Sequence, residues 1–267
     1  MIRLAVRCQP EQADLVLAEL TVLAPNGVEE ERGPGYVEYA IYGGEGELPE
    51  LGDLDVAIAG GRVEVSATEI PDDWADRWRD FHKPLLVADR LWLRPSWEPP
   101  REGTVDIVVD PGQAFGTGAH PTTRLCLEYL CELEPDGELV DLGTGSGVLA
   151  IAAARLGWTP VRGYDHEPAA LEAASANAAA NNVDLQLERA NLREQLPDLA
   201  PTVVANMTAP ILLAVAELIR DAPQTLVCSG LLPAELDEVS AAYAHVGLEE
   251  QDRRREGDWA ALLLRRT

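Results

Sequence analysis

A glycine-rich loop stands between an apolar run and a helix-forming segment in VDLGTGSGVLAIAAARLG. The run closes with Asp141 and Leu142, and Gly143 and Gly145 open the loop. Glycines let the backbone turn tightly, and they let a ligand approach the N–H groups at the start of the following helix. About 20 residues further along, Asp165 ends the next apolar run, where a carboxylate can accept hydrogen bonds from both ribose hydroxyls. This spacing predicts a site for a cofactor that contains a nucleoside.

Two classes of cofactor share this arrangement. Dinucleotide-binding proteins need a third glycine in G-x-G-x-x-G, and Val148 stands at that position here. The acid Asp141 also suits a ligand with an ammonium group better than a pyrophosphate. Both features favour S-adenosyl-L-methionine (SAM) over NAD. A structural interpretation stays open for each acid: Asp165 as an ordinary strand-end or N-cap residue, and Asp141 as a carboxylate that braces the loop without touching a ligand.

A second glycine-rich segment, DPGQAFGTGAHPTT, precedes the first run. Pro121 suits the first position of a helix, so Thr122 and Thr123 fall in its opening turn, where free N–H groups favour a carboxylate. SAM carries a carboxylate on its methionine tail, and the Thr122 hydroxyl is a further donor. The alternative is that the two threonines only satisfy the helix start. His120 is expected to cap this helix or support the site rather than to act as a catalytic base.

A third motif, VVANMTAPILLAV, predicts a buried strand that ends at Asn206, followed by a turn and a helix. Ligands of doubly wound sheets bind beyond the carboxyl ends of the strands, so we expect Asn206 beside Gly143 and Asp165. Its amide oxygen can accept a hydrogen bond from an amine and aim the nitrogen lone pair at a methyl sulfonium. Such a transfer depends on positioning and desolvation rather than on a strong base. The competing interpretation of Asn206 is a simple turn former.

Alternating strand and helix patterns in the second part of the chain must position these motifs. Short apolar runs predict strands at 138–142, 160–164, 184–188, 202–205 and 225–228. Ala/Leu-rich stretches predict helices at 147–157, 168–181, 210–220 and 233–245. Two further strands, 248–254 and 259–264, are predicted to form a hairpin. The pattern indicates an α/β fold in which a parallel sheet, seven strands with the hairpin, is covered on both faces.

The first part of the chain predicts a separate small α+β module. Strands are expected at 2–8, 28–31, 36–42 and 62–70, and a helix over 11–24 places Ala13, Val16, Leu20 and Leu23 on one face. DDWADRW and the prolines near Pro99 indicate an interdomain helix and a linker. The predicted division is 1–70 for the first domain, 71–104 for the connection and 105–267 for the catalytic domain.

Composition narrows the range of partners. The 267 residues include 46 acidic and 21 basic side chains, which gives a formal net charge of −25. This charge argues against DNA binding through phosphate neutralisation and leaves a basic protein or a small charged ligand open. The cysteines and histidines lack metal-ligand spacing, so we expect no metal. No signal peptide or apolar stretch of about 20 residues is evident, which predicts a cytoplasmic protein without a membrane span.

The three motifs, together with DDWADRW, closely resemble the PrmA family, the methyltransferases of ribosomal protein L11. The resemblance is strong from DPGQAFGTGAHPTT through VVANMTAP and looser over residues 1–100. It implies a seven-stranded, Rossmann-like SAM-dependent methyltransferase domain, preceded by a small ferredoxin-like domain that recognises the substrate. It also implies methylation of lysine ε-amino groups and of the N-terminal α-amino group of L11.

The resemblance assigns the cofactor contacts residue by residue. It implies SAM contacts at Thr122, Gly143, Asp165 and Asn206, with Phe115, Gly116 and Thr117 lining or covering the same site. Gly145 and Asp141 join this set from the glycine-rich loop itself. The chain departs from the family pattern after Asn206, where Met207-Thr208-Ala209 replaces the usual Ile-Leu-Ala. This departure bears on amine selectivity and on the degree of methylation.

Three other functions stay open at this point. One is a related SAM-dependent methyltransferase that acts on a lysine of another protein or on a small amine. A second is a SAM-binding interaction module without turnover, which the complete set of Asp141, Asp165 and Asn206 argues against. An NAD-linked oxidoreductase is disfavoured because Val148 replaces the third glycine and no Ser/Tyr/Lys hydride-transfer set stands out. The oligomeric state is not readable from these patterns.

Overall fold

The structure is a computed structural model that describes residues 2–13, 16, 20, 29–43, 63–69, 83–109 and 120–267. The chain divides into two compact units, Met1–Phe81 and His82–Thr267. The first unit has one sheet and one apolar core among the described residues, and the second unit has two sheets and two apolar cores. Each unit is described by itself below. Among the described residues, no helix is both long and apolar enough to cross a lipid bilayer.

The first unit contains a four-stranded antiparallel sheet. Its strands are β1 (Ile2–Cys8), β2 (Glu29–Gly33), β3 (Tyr36–Gly43) and β4 (Glu64–Glu69), in the order β2-β3-β1-β4. A short 3₁₀ turn, Pro10–Gln12, follows β1. The period-two pattern turns Leu4 and Val6 toward the same core as Val16 and Leu20. The predicted strands are confirmed, and the predicted helix is confirmed at its described positions Ala13, Val16 and Leu20; Leu23 lies outside the described residues.

The second unit begins with a three-stranded sheet. The strands are β5 (Leu85–Val87), β6 (Leu91–Arg94) and β7 (Val105–Val108); β5 and β6 are antiparallel, and β6 and β7 are parallel. The prediction of a linker as far as 104 is therefore wrong over this stretch, since β5 and β6 belong to the second unit. Leu91 and Leu93 alternate inward from β6 and are buried. This period-two pattern indicates a strand, but the nearby prolines led to the prediction of a linker. DDWADRW and residues 71–82 as a whole lie outside the described residues.

A larger mixed sheet carries the motifs. Among the described residues it has seven strands: β8 (Leu139–Leu142), β9 (Val161–Asp165), β10 (Gln186–Arg189), β11 (Thr202–Asn206), β12 (Thr225–Leu231), β13 (Leu248–Glu256) and β14 (Trp259–Arg266). Their order is β10-β9-β8-β11-β12-β14-β13. The first five in this order are parallel, while β14 runs antiparallel to both β12 and β13. The predicted α/β fold is confirmed.

Five helices accompany this sheet in the described part of the chain: α1 (Pro121–Glu132), α2 (Val148–Leu156), α3 (Pro168–Ala180), α4 (Ala209–Leu218) and α5 (Leu236–Ala244). Consecutive strand residues face two different cores, with Val204 in one and Val203 in the other. Both faces of the central strands β8, β11 and β12 are therefore buried, which explains why their sequences are continuous apolar runs rather than alternating patterns. Each fully buried aliphatic side chain contributes roughly 1.5–3 kcal/mol.

The order of the strands fixes where a ligand can bind. From β8 the chain crosses to β9 on one side, whereas β11 pairs with the opposite edge of β8. The connections at the carboxyl ends of β8 and β11 therefore diverge and leave a crevice between them. This crevice lies where the glycine-rich loop, Asp165 and Asn206 end their strands.

Candidate functional site

A cavity of about 900 Å³ opens at the carboxyl ends of β8, β9 and β11. Its volume lies within the usual range for small-molecule sites. Five of the predicted residues line it: Thr122, Gly143, Gly145, Asp165 and Asn206. Phe115, Gly116 and Thr117 lie outside the described residues. Four sequence-distant motifs thus contribute to one cavity.

The glycine-rich loop is held tightly against the end of β9. The backbone N–H groups of Gly143 and Thr144 both donate to the Tyr164 carbonyl, at 2.8 and 2.9 Å. Gly143 has φ +73°, and a Cβ on it would lie 2.9 Å from the Met207 side chain. The position therefore favours glycine for its backbone angle, and a Cβ there would also displace the Met207 side chain.

Asp165 binds the glycine-rich loop with one carboxylate oxygen and the N-cap residue of α3 with the other. Oδ2 accepts the Gly145 N–H at 2.9 Å, and Oδ1 accepts the Glu167 N–H at 3.1 Å. The side chain is 9% exposed and lines the cavity. Each oxygen of an ionised carboxylate has a second lone pair, so it can accept a ligand hydroxyl in addition to these bonds. The bracing and ligand-binding interpretations of Asp165 are therefore compatible.

Asp141 has a different position from the one expected of a cofactor contact. It is fully buried, it does not line the cavity, and Oδ2 accepts a hydrogen bond from the Thr144 hydroxyl at 2.7 Å. Oδ1 has no hydrogen-bond partner among the described residues. Burial raises the pKa of this carboxyl to about 7, although the hydrogen bond from Thr144 opposes the shift. The assignment of Asp141 as a ligand contact is thus corrected: it braces the loop from beneath.

The start of α1 forms another wall of the cavity. His120 is the N-cap, and its Nδ1 lies 2.8 Å from the Thr122 hydroxyl and accepts the Thr122 N–H at 3.4 Å. The Thr123 N–H donates to the His120 carbonyl at 3.1 Å. These first-turn N–H groups, expected to be free for a carboxylate, already have partners within the helix start. Thr122 nevertheless lines the cavity.

His120 also meets a residue that the motifs did not reveal. Its ring packs edge-on against Trp259, with centroids 4.8 Å apart and planes inclined at 66°. Burial lowers the pKa of the His120 imidazole, which favours its neutral form. Trp259 begins β14 and lines the cavity with His120.

Asn206 is the last residue of β11, and its side-chain amide is held by a hydrogen bond. Nδ2 donates to the Thr123 hydroxyl at 3.1 Å, and among the described residues none donates to Oδ1. The next residue, Met207, donates its N–H to the Ser229 carbonyl at 3.0 Å. Gly230 follows Ser229 with φ +89°, and a Cβ on it would lie 2.4 Å from the Met207 carbonyl oxygen. The amide is therefore held by α1 and its backbone by β12.

The lining side chains indicate what kind of ligand the cavity fits. Apolar walls come from Val148, Leu149, Leu192 and Ile211. In the described part of the chain the lining has two acids, Asp165 and Glu167, but a single arginine, Arg193, and no lysine. A pyrophosphate would find little positive charge here, whereas a nucleoside with a cationic sulfonium meets apolar surface, a carboxylate and an amide oxygen. The residues present therefore fit SAM better than NAD.

Several lining residues were not identified from the sequence motifs. Gly230 and Trp259 reach the cavity only because β12 and β14 follow β11 in the sheet. Asn191 and Arg193 reach it from the segment after β10. Gly230 interrupts the strand VCSGLL at a register shift, and a glycine inside a strand pattern is the one signal that indicates such a bulge.

Comparison with known proteins relates this site to one family. The model of the family described as Ribosomal protein L11 methyltransferase (PrmA) matches residues 48–267. A relative named ribosomal protein L11 methyltransferase, from Symbiobacterium thermophilum, is 33% identical over 304 residues and covers 98% of each chain. One of the same name from Shewanella sediminis is 43% identical over 196 residues, 71% of this chain and 67% of the relative.

A solved structure agrees with these relatives. The crystal structure of a ribosomal protein L11 methylase from Lactobacillus delbrueckii subsp. bulgaricus superposes with a TM-score of 0.62 at 28% identity, over 70% of this chain and 98% of that chain. The matched family model spans far more than half of this chain, including the whole described cavity. The chain therefore belongs to the ribosomal protein L11 methyltransferase (PrmA) family.

Proposed function

We propose that this protein is a SAM-dependent methyltransferase that adds methyl groups to lysine ε-amino groups and to the N-terminal α-amino group of ribosomal protein L11. One observation carries the proposal: the glycine-rich loop, Asp165, the start of α1 and Asn206 line a single cavity at the switch point of the sheet. The names of the relatives supply the substrate.

Different residues of the cavity contact different parts of SAM. SAM supplies a methyl group bonded to a positively charged sulfur. Asp165 offers its remaining lone pairs to the ribose hydroxyls, and Gly143 and Gly145 let the ligand approach the loop backbone. Thr122, with a hydroxyl already paired to His120, is a supporting contact for the methionine carboxylate. Asp141 contributes indirectly, since it holds Thr144 and thus the loop.

Asn206 orients the incoming amine. Its Oδ1 can accept an N–H from a neutral amine while Nδ2 stays bonded to Thr123, so the amide does not rotate freely. The amine loses its proton to water before it enters, and the apolar walls then exclude water from the reacting atoms. Positioning of this kind supplies much of the rate of a displacement reaction. No strong base is required at the site.

The first unit is proposed as the part that recognises the protein substrate. Its strand order, β4-β1-β3-β2 with every pair antiparallel, and its helical residues after β1 support a ferredoxin-like fold. The second unit is proposed as the seven-stranded methyltransferase domain. A net charge of −25 complements a basic ribosomal protein, and action in the cytoplasm without DNA or membrane binding stays a prediction.

A second substrate class follows from one position at the mouth of the cavity. Thr208 is exposed, lines the cavity and is the N-cap of α4, yet its side chain makes no capping hydrogen bond. Its hydroxyl is therefore available to a substrate, where the family has an apolar residue. The alternative to L11 is a lysine of another protein, which this hydroxyl can contact.

Intact-mass spectrometry of purified L11 incubated with this protein and SAM tests the proposal. We expect gains of whole methyl masses, and peptide mapping should locate them on lysine ε-amino groups and the N-terminal α-amino group. Calorimetry with SAM and with NAD provides the cofactor control, and heat is expected for SAM alone. Binding of SAM without any methyl gain on L11 would reject the substrate, whereas binding of NAD alone would reject the whole assignment.

A further inference from the structure

One face of α3 holds the glycine-rich loop through residues that do not line the cavity. Gly147 has φ +80°, and a Cβ on it would lie 3.0 Å from the Cβ of Ala174. One turn further along α3, Asn177 donates from Nδ2 to the Ser146 carbonyl at 2.9 Å. The helix therefore contacts two successive loop residues, one by close packing and one by a hydrogen bond.

The same face of the helix ends in an asparagine that binds a strand. Asn181 is 5% exposed; its Oδ1 accepts the Val108 N–H at 2.7 Å and its Nδ2 donates to the Val108 carbonyl at 2.6 Å. Nδ2 also donates to the Asn177 carbonyl at 2.8 Å. Val108 is the last residue of β7. The amide thus pairs with this residue as a neighbouring strand would, and it satisfies backbone groups that would be costly to bury unpaired.

Ala174, Asn177 and Asn181 are spaced by three and four residues, so they lie on one side of α3. Through them the helix connects the loop after β8 to the end of β7, two segments that are distant in the sequence. We infer that Asn177 and Asn181 are positioning residues for SAM binding, which set the glycine-rich loop against β7 without touching the ligand. The inference rests on the proposed function, because it takes SAM as the ligand of this loop.

The geometry of one peptide group explains why loss of Asn177 is expected to weaken SAM binding. The Ser146 carbonyl accepts Asn177 Nδ2, while the Gly147 N–H donates to the Thr144 carbonyl at 2.8 Å, so the plane between Ser146 and Gly147 is fixed at both ends. Loss of Asn177 releases one end, and SAM must then order the loop as it binds. Such a cost raises the Kd for SAM. It leaves turnover at saturating SAM almost unchanged, since Asn206 is anchored separately by Thr123.

The test compares Asn177→Ala and Asn181→Asp with Ala176→Gly in the full-length protein. Asn181→Asp keeps the acceptor for the Val108 N–H but removes the donor to its carbonyl. Ala176 is exposed on α3, and glycine there is expected to lower Tm by about 2–4 °C without touching the loop or β7. The readouts are Kd for SAM by calorimetry, KM for SAM, kcat on L11 and Tm.

We expect each asparagine variant to raise Kd and KM for SAM roughly tenfold, with kcat at saturating SAM within about twofold of the parent protein. Asn177→Gln, which restores a donor, should recover part of the affinity, and Ala176→Gly should bind SAM normally. If both asparagine variants lose Tm as Ala176→Gly does but keep the parental Kd, the inference is overturned and their role is only structural. Should the parent protein itself fail to bind SAM, the proposed function fails, and this inference with it.

Discussion

Asp165 Oδ2 accepts the backbone N–H of Gly145 at 2.9 Å, so the carboxylate expected to bind a ribose also holds the glycine-rich loop in place. Its other oxygen accepts the Glu167 N–H at 3.1 Å. Both bonds come from backbone donors that cannot reverse their direction. The site therefore requires a carboxylate at this position, for which an amide is a poor substitute.

Replacement of Asp165 by asparagine is predicted to be nearly as harmful as replacement by alanine. Whichever way the amide is oriented, its NH₂ group faces the N–H of Gly145 or of Glu167. Hydrogen bonds to a charged acceptor are worth about 1.5–3 kcal/mol, so we expect the Kd for SAM to rise roughly 10- to 100-fold in both variants. Calorimetry measures it. Asp184→Asn, at an exposed position, is the control, and parental SAM affinity in Asp165→Asn would contradict the prediction.

Asn206→Ala is predicted to lower kcat at saturating SAM by roughly 100-fold while the Kd for SAM changes little. The reason is that its amide is proposed to orient the amine, while Asp165 and the glycine-rich loop make most of the contacts with the cofactor. Because Thr123 anchors that amide, Thr123→Val should also lower kcat, and Thr123→Ser, which keeps the hydroxyl, should retain it. Steady-state kinetics on L11 distinguishes these cases. Unchanged turnover in Asn206→Ala would show that Asn206 does not orient the amine.

Much of the second unit was predictable because its central strands β8, β11 and β12 are buried on both faces. A run such as Val203, Val204 and Ala205 is apolar at every position, and glycine or proline punctuation marks its ends. The contacts of Gly143, Asp165 and Asn206 with one cavity followed from the rule that ligands bind beyond the carboxyl ends of such strands. These residues lie at or directly after the carboxyl ends of their own strands, so local sequence was sufficient to find them.

The remaining features depend on geometry that the local sequence does not contain. Asp141 follows Val140 in the strand and precedes the loop, but only the fold shows that its side chain turns beneath Thr144 instead of toward the cavity. Trp259 reaches the cavity because β14 inserts between β12 and β13, an order that no short motif encodes. The strand that contains Leu91 was not predicted, because the prolines near it usually indicate a linker.

Gly230→Ala is predicted to lower Tm and kcat more than Gly247→Ala, although the two glycines have similar backbone angles, φ +89° and +85°. A side chain at either position costs about 1–2 kcal/mol for the left-handed conformation. At Gly247 nothing lies within 4 Å of the new Cβ, whereas at Gly230 three backbone atoms of Met207 lie between 2.4 and 3.1 Å. The end of β11 must therefore move, and Asn206 with it.

Thermal unfolding and kcat test this pair together. Gly247→Ala should lower Tm by a few degrees and leave kcat unchanged. Gly230→Ala should lower Tm further and also reduce kcat on L11 at saturating SAM. Equal effects of the two substitutions on both quantities would mean that the close approach of Gly230 to Met207 has no role in placing Asn206.

Asp141→Asn is predicted to change how stability depends on pH. Burial raises the pKa of Asp141 to about 7, above the 3.8 of an exposed aspartate. Between these values the folded state binds more protons than the unfolded state, so the free energy of unfolding falls as pH rises, by about 1.4 kcal/mol per pH unit. The slope is halved near pH 7, where half of the folded molecules are ionised, and above about pH 8 this contribution levels off. Asparagine cannot ionise, so it removes this slope.

The difference in unfolding free energy between Asp141→Asn and the parent protein isolates this one group, because all other titrations cancel. Urea titrations at pH 5, 6, 7 and 8 should show the variant gaining relative stability from pH 5 to 7 and only a small further gain at pH 8. Any fixed cost of the amide, such as loss of packing beneath Thr144, shifts all four values equally and leaves the slope intact. A difference that is constant from pH 5 to 7 would mean that Asp141 is already ionised in the folded protein at pH 5.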